Sequence, residues 1–436
     1  MKVHKRLIYG SLKFLAKAGL WVYFKKRTVV GNKDHLKEKR PTIIVSNHPN
    51  TLLDPINVAV KAKMRVHFLA NAGLFLTRIG NWFFNTLYCI PIARKEDKPN
   101  PFVDNNISFN RCDQFLESGG CLFIAPEGTS WMDRMMRPFK TGTARIAFSA
   151  AEKVNFDLDL VIQPVGVGYS APDRFRSKVF MQIGEPIWVR EFREDYEKNP
   201  YETVNKLTDQ IEEQIRSMII DTDSEEEDLM IKRLEEMLQN RAPADDYGHF
   251  KRVKALIEQL RAARANKPQE FAQLEKTLAT YFAELENTKT ADVGVASEGY
   301  QKWWKLIPGF PVFLFGVINN AIPGFLIWWG IRKMNLYIGY NSGARILLGL
   351  IVVPLFYGLQ TYLVHSLFGW YTAIAYLISL LPLGIFAADF WKEIQRFWKI
   401  RKYNSIAQPL QVSLQEGSKK IMAQVQQFQS ITVNDD

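Results

Sequence analysis

The sequence predicts an α/β domain with a largely parallel sheet, then a helical insert, then a C-terminal helical membrane module. Three observations predict it. Between residues 28 and 190, short apolar runs of strand character alternate with helix-periodic stretches. From 191 to 300 the chain is charged, poor in glycine and helix-periodic throughout. From 301 to 392 it is far more apolar than elsewhere, so a mean hydropathy of −0.14 averages two unlike parts.

The elements follow in order. Residues 1–27 set Leu7, Ile8, Leu12, Leu15, Leu20, Trp21 and Phe24 against Lys2, Lys5, Arg6, Lys13 and Lys17. A helix with one greasy and one basic side lies on a membrane surface. Lys13 and Lys17 interrupt its apolar run and no small-residue cleavage site follows, so it is not read as a cleavable signal peptide. Strands are expected at 42–45, 65–69, 87–92, 121–125, 160–167 and 179–183, with helices at 103–117 and 142–153 between them. The domain spans 28–190. Helices at 204–219, 224–239, 250–264 and 269–285 fill the charged region 191–300. Ser224 is placed to cap the second of these, with Glu227 three residues on as in a capping box. His249 reads as a surface residue.

In the membrane module, 346–363 and 371–388 are clean spans near the ~20 residues a bilayer requires. The stretch 306–331 is apolar but interrupted by Pro308, Gly309, Pro311, Asn319, Asn320, Pro323 and Gly324. Trp303, Trp304, Trp328, Trp329, Trp370 and Trp391 stand near the ends, as an aromatic belt does. Basic residues flank three of the connections: Lys302 and Lys305; Arg332, Lys333 and Arg345; and Lys392 through Lys402. The turn 364–370 has none. The positive-inside rule then puts all three clusters, and the catalytic domain, on the cytoplasmic side. That arrangement makes 306–331 a re-entrant or broken helix and the next two spans a hairpin; three full crossings are the alternative. Residues 393–436 read as a polar tail, helical or loose.

The length of 436 residues allows two or three domains. The net charge of +11 fits either nucleic acid or an anionic membrane face. The basic residues crowd the N-terminus and flank the apolar segments, and no nucleic-acid module accompanies them, so a lipid membrane is the expected partner. Cys89, Cys112 and Cys121 match no metal spacing, and an odd number cannot pair completely. They read as buried small hydrophobes in a reducing compartment. No metal and no cofactor is expected.

The chemistry is concentrated in Ser46-Asn47-His48-Pro49-Asn50-Thr51-Leu52-Leu53-Asp54, which follows the strand-like Thr42-Ile43-Ile44-Val45. An imidazole and a carboxylate thus stand where a strand gives way to a turn, the edge at which α/β folds bind ligands. A neutral imidazole beside a carboxylate can take a proton from an alcohol.

Four pieces in order carry a resemblance to the PlsC-type glycerophospholipid acyltransferase family over residues 28–190. Asn47-His48 through Asp54 resembles its His-x4-Asp motif, and Ile90-Pro91-Ile92-Ala93-Arg94 its Phe-Ile-Asp-Arg block. Pro126-Glu127-Gly128-Thr129, with Phe139-Lys140-Thr141-Gly142 downstream, is the third piece. Val161-Ile162-Gln163-Pro164-Val165, closed by Gly184-Glu185-Pro186-Ile187, is the fourth. The chain departs from the pattern in three places. Five residues, not four, separate His48 from Asp54; Ala93 replaces an acid; Ser130-Trp131 follow Thr129, so that the next cation is Arg134. One extra residue turns an ideal helix by about 100°, so pairing His48 with Asp54 requires a non-helical turn, which Pro49 can open.

The resemblance implies transfer of a fatty acyl group from acyl-CoA or acyl-carrier protein to a hydroxyl of glycerol 3-phosphate or 1-acyl-glycerol 3-phosphate (lysophosphatidate). His48 is the expected general base and Asp54 the group that holds its tautomer and stabilises the imidazolium. No serine or cysteine is placed for an acyl-enzyme, which favours direct transfer. Substrate binding is expected from Asn47, Arg94, Glu127, Gly128, Thr129, Arg134 and Lys140. Arg94 is the first choice for the phosphate, with Lys140, Arg134 and Arg137 behind it, while Glu127 and Gly128 shape the acceptor pocket. Two rival readings are a different lysolipid acceptor and a catalytically silent membrane scaffold; a nucleic-acid binder rests on basicity alone.

Overall fold

The computed structural model describes residues 2–86, 88–94, 103–299 and 303–429. The expected strand residue Leu87 and the flanking Lys302 lie outside them. The chain forms two compact units, one of residues 1–221 with 330–350 and one of 222–329 with 351–436.

The first unit is α/β. Its elements are α1 (Lys2–Tyr23), β1 (Lys26–Val30), β2 (Thr42–Ser46), α2 (Leu53–Ala59), β3 (Val66–Asn71), α3 (Arg78–Thr86), β4 (Cys89–Ile92), α4 (Asn105–Glu117), β5 (Cys121–Ile124), α5 (Gly142–Glu152), β6 (Val161–Tyr169), β7 (Lys178–Ile183), β8 (Ile187–Trp188), α6 (Arg193–Lys198) and α7 (Pro200–Ser217). The sheet runs β1-β7-β6-β2-β5-β3-β4, with β8 beside β6. The β2, β3, β4, β5 and β6 pairings are parallel, as β1 is to β7; β7 and β8 run antiparallel to β6.

Side chains of a strand alternate between faces, and here both faces are covered. Ile43, Val45, Leu122 and Ile124 pack under α4, α5 and α7. Ile44, Cys121 and Phe123 pack on the other face with Leu20, Tyr23 and Val58 of α1 and α2. Two boundaries differ from the sequence reading. β1 begins at Lys26, inside the stretch assigned to an interfacial helix. α7 also belongs to this unit, because Leu207, Ile211 and Ile215, spaced at i, i+4 and i+8, enter the same core as α5. The third helix, α3, has no counterpart in the sequence reading. It buries nothing and leaves Ile79, Trp82 and Phe83 exposed.

The second unit is helical: α8 (Glu225–Arg241), α9 (Asp246–Asn266), α10 (Pro268–Asn287), α11 (Asp292–Ala296), most of α12 (Phe310–Met334), the greater part of α13 (Ile338–Asn404) and α14 (Gln408–Gln429). Ser224 caps α8 by accepting from the Glu227 N–H at 3.2 Å, and the Glu227 carboxylate reaches back to the Asp223 N–H. His249 is less exposed than expected, because it pairs with Glu235 at 2.7 Å. Residues 393–436 were expected as a tail; α14 instead buries Leu414, Ile421, Val425 and Phe428 and packs along α10.

The helices α12 and α13 are long and apolar enough to cross a membrane, and protein covers only 11% and 22% of their most apolar stretches. α13 is two helices joined at Gly369, whose φ of 79° breaks the helical path. α12 is helical on both sides of Pro323, which lies inside it after Asn319 and Asn320. Asn319 and Asn320 are satisfied from within. Their amides donate to the carbonyls of Phe315 and Gly316 at 2.8 and 2.9 Å. Tyr357 donates to the Asn320 side-chain oxygen at 2.6 Å, and Tyr376 donates to that of Asn319. Polar groups in an apolar helix of this kind are paired in this way.

Candidate active site

The parallel strands β2, β4, β5 and β6 all end at one edge of the sheet, and the site grows from that edge. Past Ser46 the chain leaves the strand and turns through Pro49 and Asn50 before α2 starts at Leu53. That non-helical turn absorbs the extra residue. His48 Nδ1 lies 3.0 Å from Asp54 Oδ2 despite the six-residue separation. The His48 side chain is 15% exposed while Asp54 is fully buried, so the ring faces outward from a buried carboxylate.

Asp54 has two further donors. The Asn50 N–H donates to Oδ2 at 2.6 Å and the Tyr169 hydroxyl donates to Oδ1 at 2.6 Å. Burial pushes the Asp54 carboxyl above its ordinary range, and the contacts with His48, Tyr169 and Asn50 oppose that. Burial and the facing carboxylate hold the Tyr169 phenol well above its usual value, so it remains a donor. Neither Tyr169 nor Asn50 was picked out from sequence. Tyr169 is the last residue of β6, and only the β2–β6 pairing brings it here. Asn50 also donates to the Pro172 carbonyl at 2.9 Å, fastening the turn to the loop after β6.

The third motif holds the histidine's backbone. Glu127 Oε1 accepts from the His48 N–H at 2.8 Å, its Oε2 accepts from the Arg137 N–H at 3.2 Å, and the Trp131 N–H donates to the His48 carbonyl at 3.3 Å. Burial raises the Glu127 carboxyl too. Gly128 follows with φ of 75°, a conformation that favours glycine. Lys140 lies over Gly128: a Cβ there would come within 3.1 Å of its Nζ.

Arg94 stands just past the end of β4. Its guanidinium donates to the Gly128 carbonyl and to Thr129 Oγ1 at 2.9 Å, joining the second motif to the third. Where the family pattern has an acid, the Ala93 backbone is clasped from both sides by the Asn105 amide, each bond 2.8 Å. Sequence reasoning missed Asn105 for want of any motif around it.

The structure therefore brings His48, Asp54, Arg94, Glu127, Gly128, Thr129 and Lys140 together, and corrects two expectations. Asn47 was expected to bind substrate. Its amide nitrogen and oxygen instead bond the Val167 carbonyl and N–H, each at 2.8 Å, continuing the β2–β6 ladder by one side chain. Arg137 was a candidate phosphate ligand. Its guanidinium is engaged by Asp133 at 2.7 and 3.0 Å and stacks over Trp131 at 5.0 Å, so it braces its own loop. Arg134 lies partly buried in that loop. Of the cysteines, Cys112 and Cys121 are buried as expected and Cys89 is partly so; burial lifts all three thiols to about 12.

The histidine–carboxylate pair and Arg94 thus share the carboxyl edge of a largely parallel α/β sheet. Residues 27–168 match the family model described as Acyltransferase. Glycerol-3-phosphate O-acyltransferase 2 of Saccharomyces cerevisiae is 34% identical over 110 residues, 25% of this chain and 15% of that protein. Glycerol-3-phosphate O-acyltransferase 1 of the same yeast is 32% identical over 133 residues, 30% of this chain and 17% of that protein. The matched stretch thus spans about a sixth of the relatives' length. A crystal structure of the 1-acyl-sn-glycerophosphate acyltransferase PlsC from Thermotoga maritima is 22% identical, with a TM-score of 0.33 over 48% of this chain and 82% of that one; a superposition that loose carries no argument.

Proposed function

We propose that this protein is a membrane-bound O-acyltransferase that acylates a hydroxyl of glycerol 3-phosphate or its 1-acyl form from acyl-CoA or acyl-carrier protein. The observation that carries the reading is the outward-facing His48 ring held 3.0 Å from a buried carboxylate, with Arg94 beside Thr129 on the same sheet edge. His48 takes the acceptor's hydroxyl proton as its oxygen attacks the thioester carbonyl carbon. Asp54 stabilises the imidazolium that forms. The tetrahedral intermediate then collapses, the C–S bond breaks, and the leaving thiolate takes the proton back. Arg94, with Lys140 and Arg134, supplies positive charge for the acceptor's phosphate.

The test is acyl transfer in detergent-solubilised full-length protein, with labelled glycerol 3-phosphate and 1-acyl-glycerol 3-phosphate offered beside palmitoyl-CoA and palmitoyl-carrier protein. Product from one acceptor, lost in His48→Ala, supports the reading. No product with any pairing refutes it and favours another acceptor lipid or the scaffold.

The membrane topology belongs to the same proposal. The first half of α12 runs antiparallel to the second arm of α13: Gly309 meets Phe390, and Gly316 meets Leu383 and Ala387. In a hairpin closed at Gly369 it therefore runs the same way as the first arm. The chain must come back before that arm begins at Ile338, and Pro323-Gly324 is where a helix bends. We read α12 as re-entrant and α13 as the crossing hairpin, with the catalytic unit cytoplasmic. Cysteines introduced at the exposed Lys305 and Lys333 should label from one side of sealed vesicles. Labelling from opposite sides would establish three crossings.

A further inference from the structure

The turn that links α12 to α13 is built into the acyltransferase unit. The Tyr337 hydroxyl donates to the Ser130 carbonyl at 2.9 Å, one residue beyond the Thr129 that receives Arg94. The buried Ser342 donates to the Pro172 carbonyl at 2.6 Å and accepts from Tyr23 at 3.0 Å. Arg345 donates to the Asp173 carbonyl. Pro172 is also the residue that fastens Asn50, so the turn grips the loop that positions the His48 segment.

The approach to that segment is close enough to require glycine. A Cβ on Gly339 would lie 2.5 Å from Thr51 Oγ1, and one on Gly343 would lie 2.9 Å from Leu52 Cβ, both contacts too short for real side chains. Thr51 and Leu52 are the two residues between the histidine turn and the helix of Asp54. Between these anchor points stands Tyr340, half-buried, its ring 6.4 Å from that of Tyr337 in an edge-on arrangement. Its phenol is within electrostatic reach of the Arg94 guanidinium.

We infer that Tyr340 is an acceptor-binding residue, donating its phenolic O–H to the phosphomonoester that Arg94 attracts, and that the α12–α13 turn is a wall of the acceptor pocket. This rests on the proposed acyltransferase reading and deepens it. A phenol is protonated at neutral pH and donates without adding charge. It supplies direction where a guanidinium already held by Gly128 and Thr129 supplies mainly field.

The experiment compares wild type, His48→Ala and Tyr340→Phe as full-length detergent-solubilised proteins. It measures the equilibrium affinity for glycerol 3-phosphate and for 1-acyl-glycerol 3-phosphate, and the steady-state constants with palmitoyl-CoA. Tyr340→Phe keeps the ring packed on Tyr337, so only the hydroxyl is removed. The expected result is about tenfold weaker binding and a matching rise in KM for the phosphate-bearing acceptor, with donor KM and kcat within about twofold. Unchanged acceptor affinity and KM in an active enzyme would overturn the inference and leave the function standing. Binding weakened by Tyr340→Phe in a wild type that transfers no acyl group would keep the inference and sink the function. A wild type that neither binds nor acylates either acceptor overturns both.

Discussion

Each unit contains an aspartate removed from solvent, and the two are bonded in nearly the same way except in one partner. Asp292 is 1% exposed. It accepts from Tyr281 at 2.6 Å, from Asn240 at 2.8 Å and from both Arg241 guanidinium nitrogens at 2.8 and 2.9 Å. Asp54 is 0% exposed and likewise accepts from a tyrosine at 2.6 Å. Where Asp292 meets a guanidinium, Asp54 meets an imidazole. The first arrangement closes its charge inside the fold and ties α8, α10 and α11 together. The second sets its carboxyl beside a ring that keeps 15% exposure. Tyrosine, aspartate and burial are common to both, so none of them marks a reactive site. The partner and its exposure are what differ.

Breaking each pair should therefore give opposite phenotypes. The largest effect is expected in His48→Ala, which should lower the acylation rate by about 10²–10⁴ with little change in Tm. Retention of most activity would place the base elsewhere. Arg241→Ala should do the reverse, destabilising the helical unit by about 3–5 kcal/mol because it strands a buried carboxylate. Denaturant unfolding measures this, and a loss below about 1 kcal/mol would show that water reaches Asp292. Tyr169→Phe sharpens the comparison. As a positioning residue it should lower kcat about tenfold while both KM values hold; a lower Tm with unchanged kcat would make Tyr169 equivalent to Tyr281.

The pH dependence of stability separates the two carboxylates further. Asp54 titrates higher in the folded protein than unfolded. Wild type thus has the associated stability in full below the ordinary aspartate value of about 3.9, and loses it as pH rises through the folded value. Asp54→Asn does not titrate, so its Tm minus that of wild type should grow more positive from about pH 4 towards pH 8. A difference that is flat with pH would contradict the burial effect. The smallest effect is expected from thiol reagents. With all three thiols lifted to about 12, iodoacetamide at neutral pH should leave the native protein unlabelled and fully active.

What could be read from sequence was whatever the chain writes locally. A run of β-branched residues followed by a histidine and a carboxylate announces a strand and its loaded end, and β2, His48 and Asp54 were legible for that reason. The need for a non-helical turn was legible too, and the pairing does use one. Contacts made by distant residues were not legible. Tyr169 reaches Asp54 through sheet pairing, Asn105 reaches Ala93 from the start of α4, and the α12–α13 turn reaches Thr51 from the far end of the chain. Strand β1 was hidden because Lys26 and Arg27 mask a short edge strand. Asn47 was misread because an amide used as two rungs of a ladder looks, in sequence, like one aimed at a ligand.

The α/β unit is discontinuous in sequence, its last piece being residues 330–350. During synthesis the sheet and its motifs leave the ribosome long before that piece does. Until Gly339 and Gly343 arrive, Thr51 and Leu52 lack their cover and the Pro172 loop lacks Ser342 and Arg345. The apolar α12 must emerge first. Completion of this sheet edge is thereby ordered after the emergence of α12.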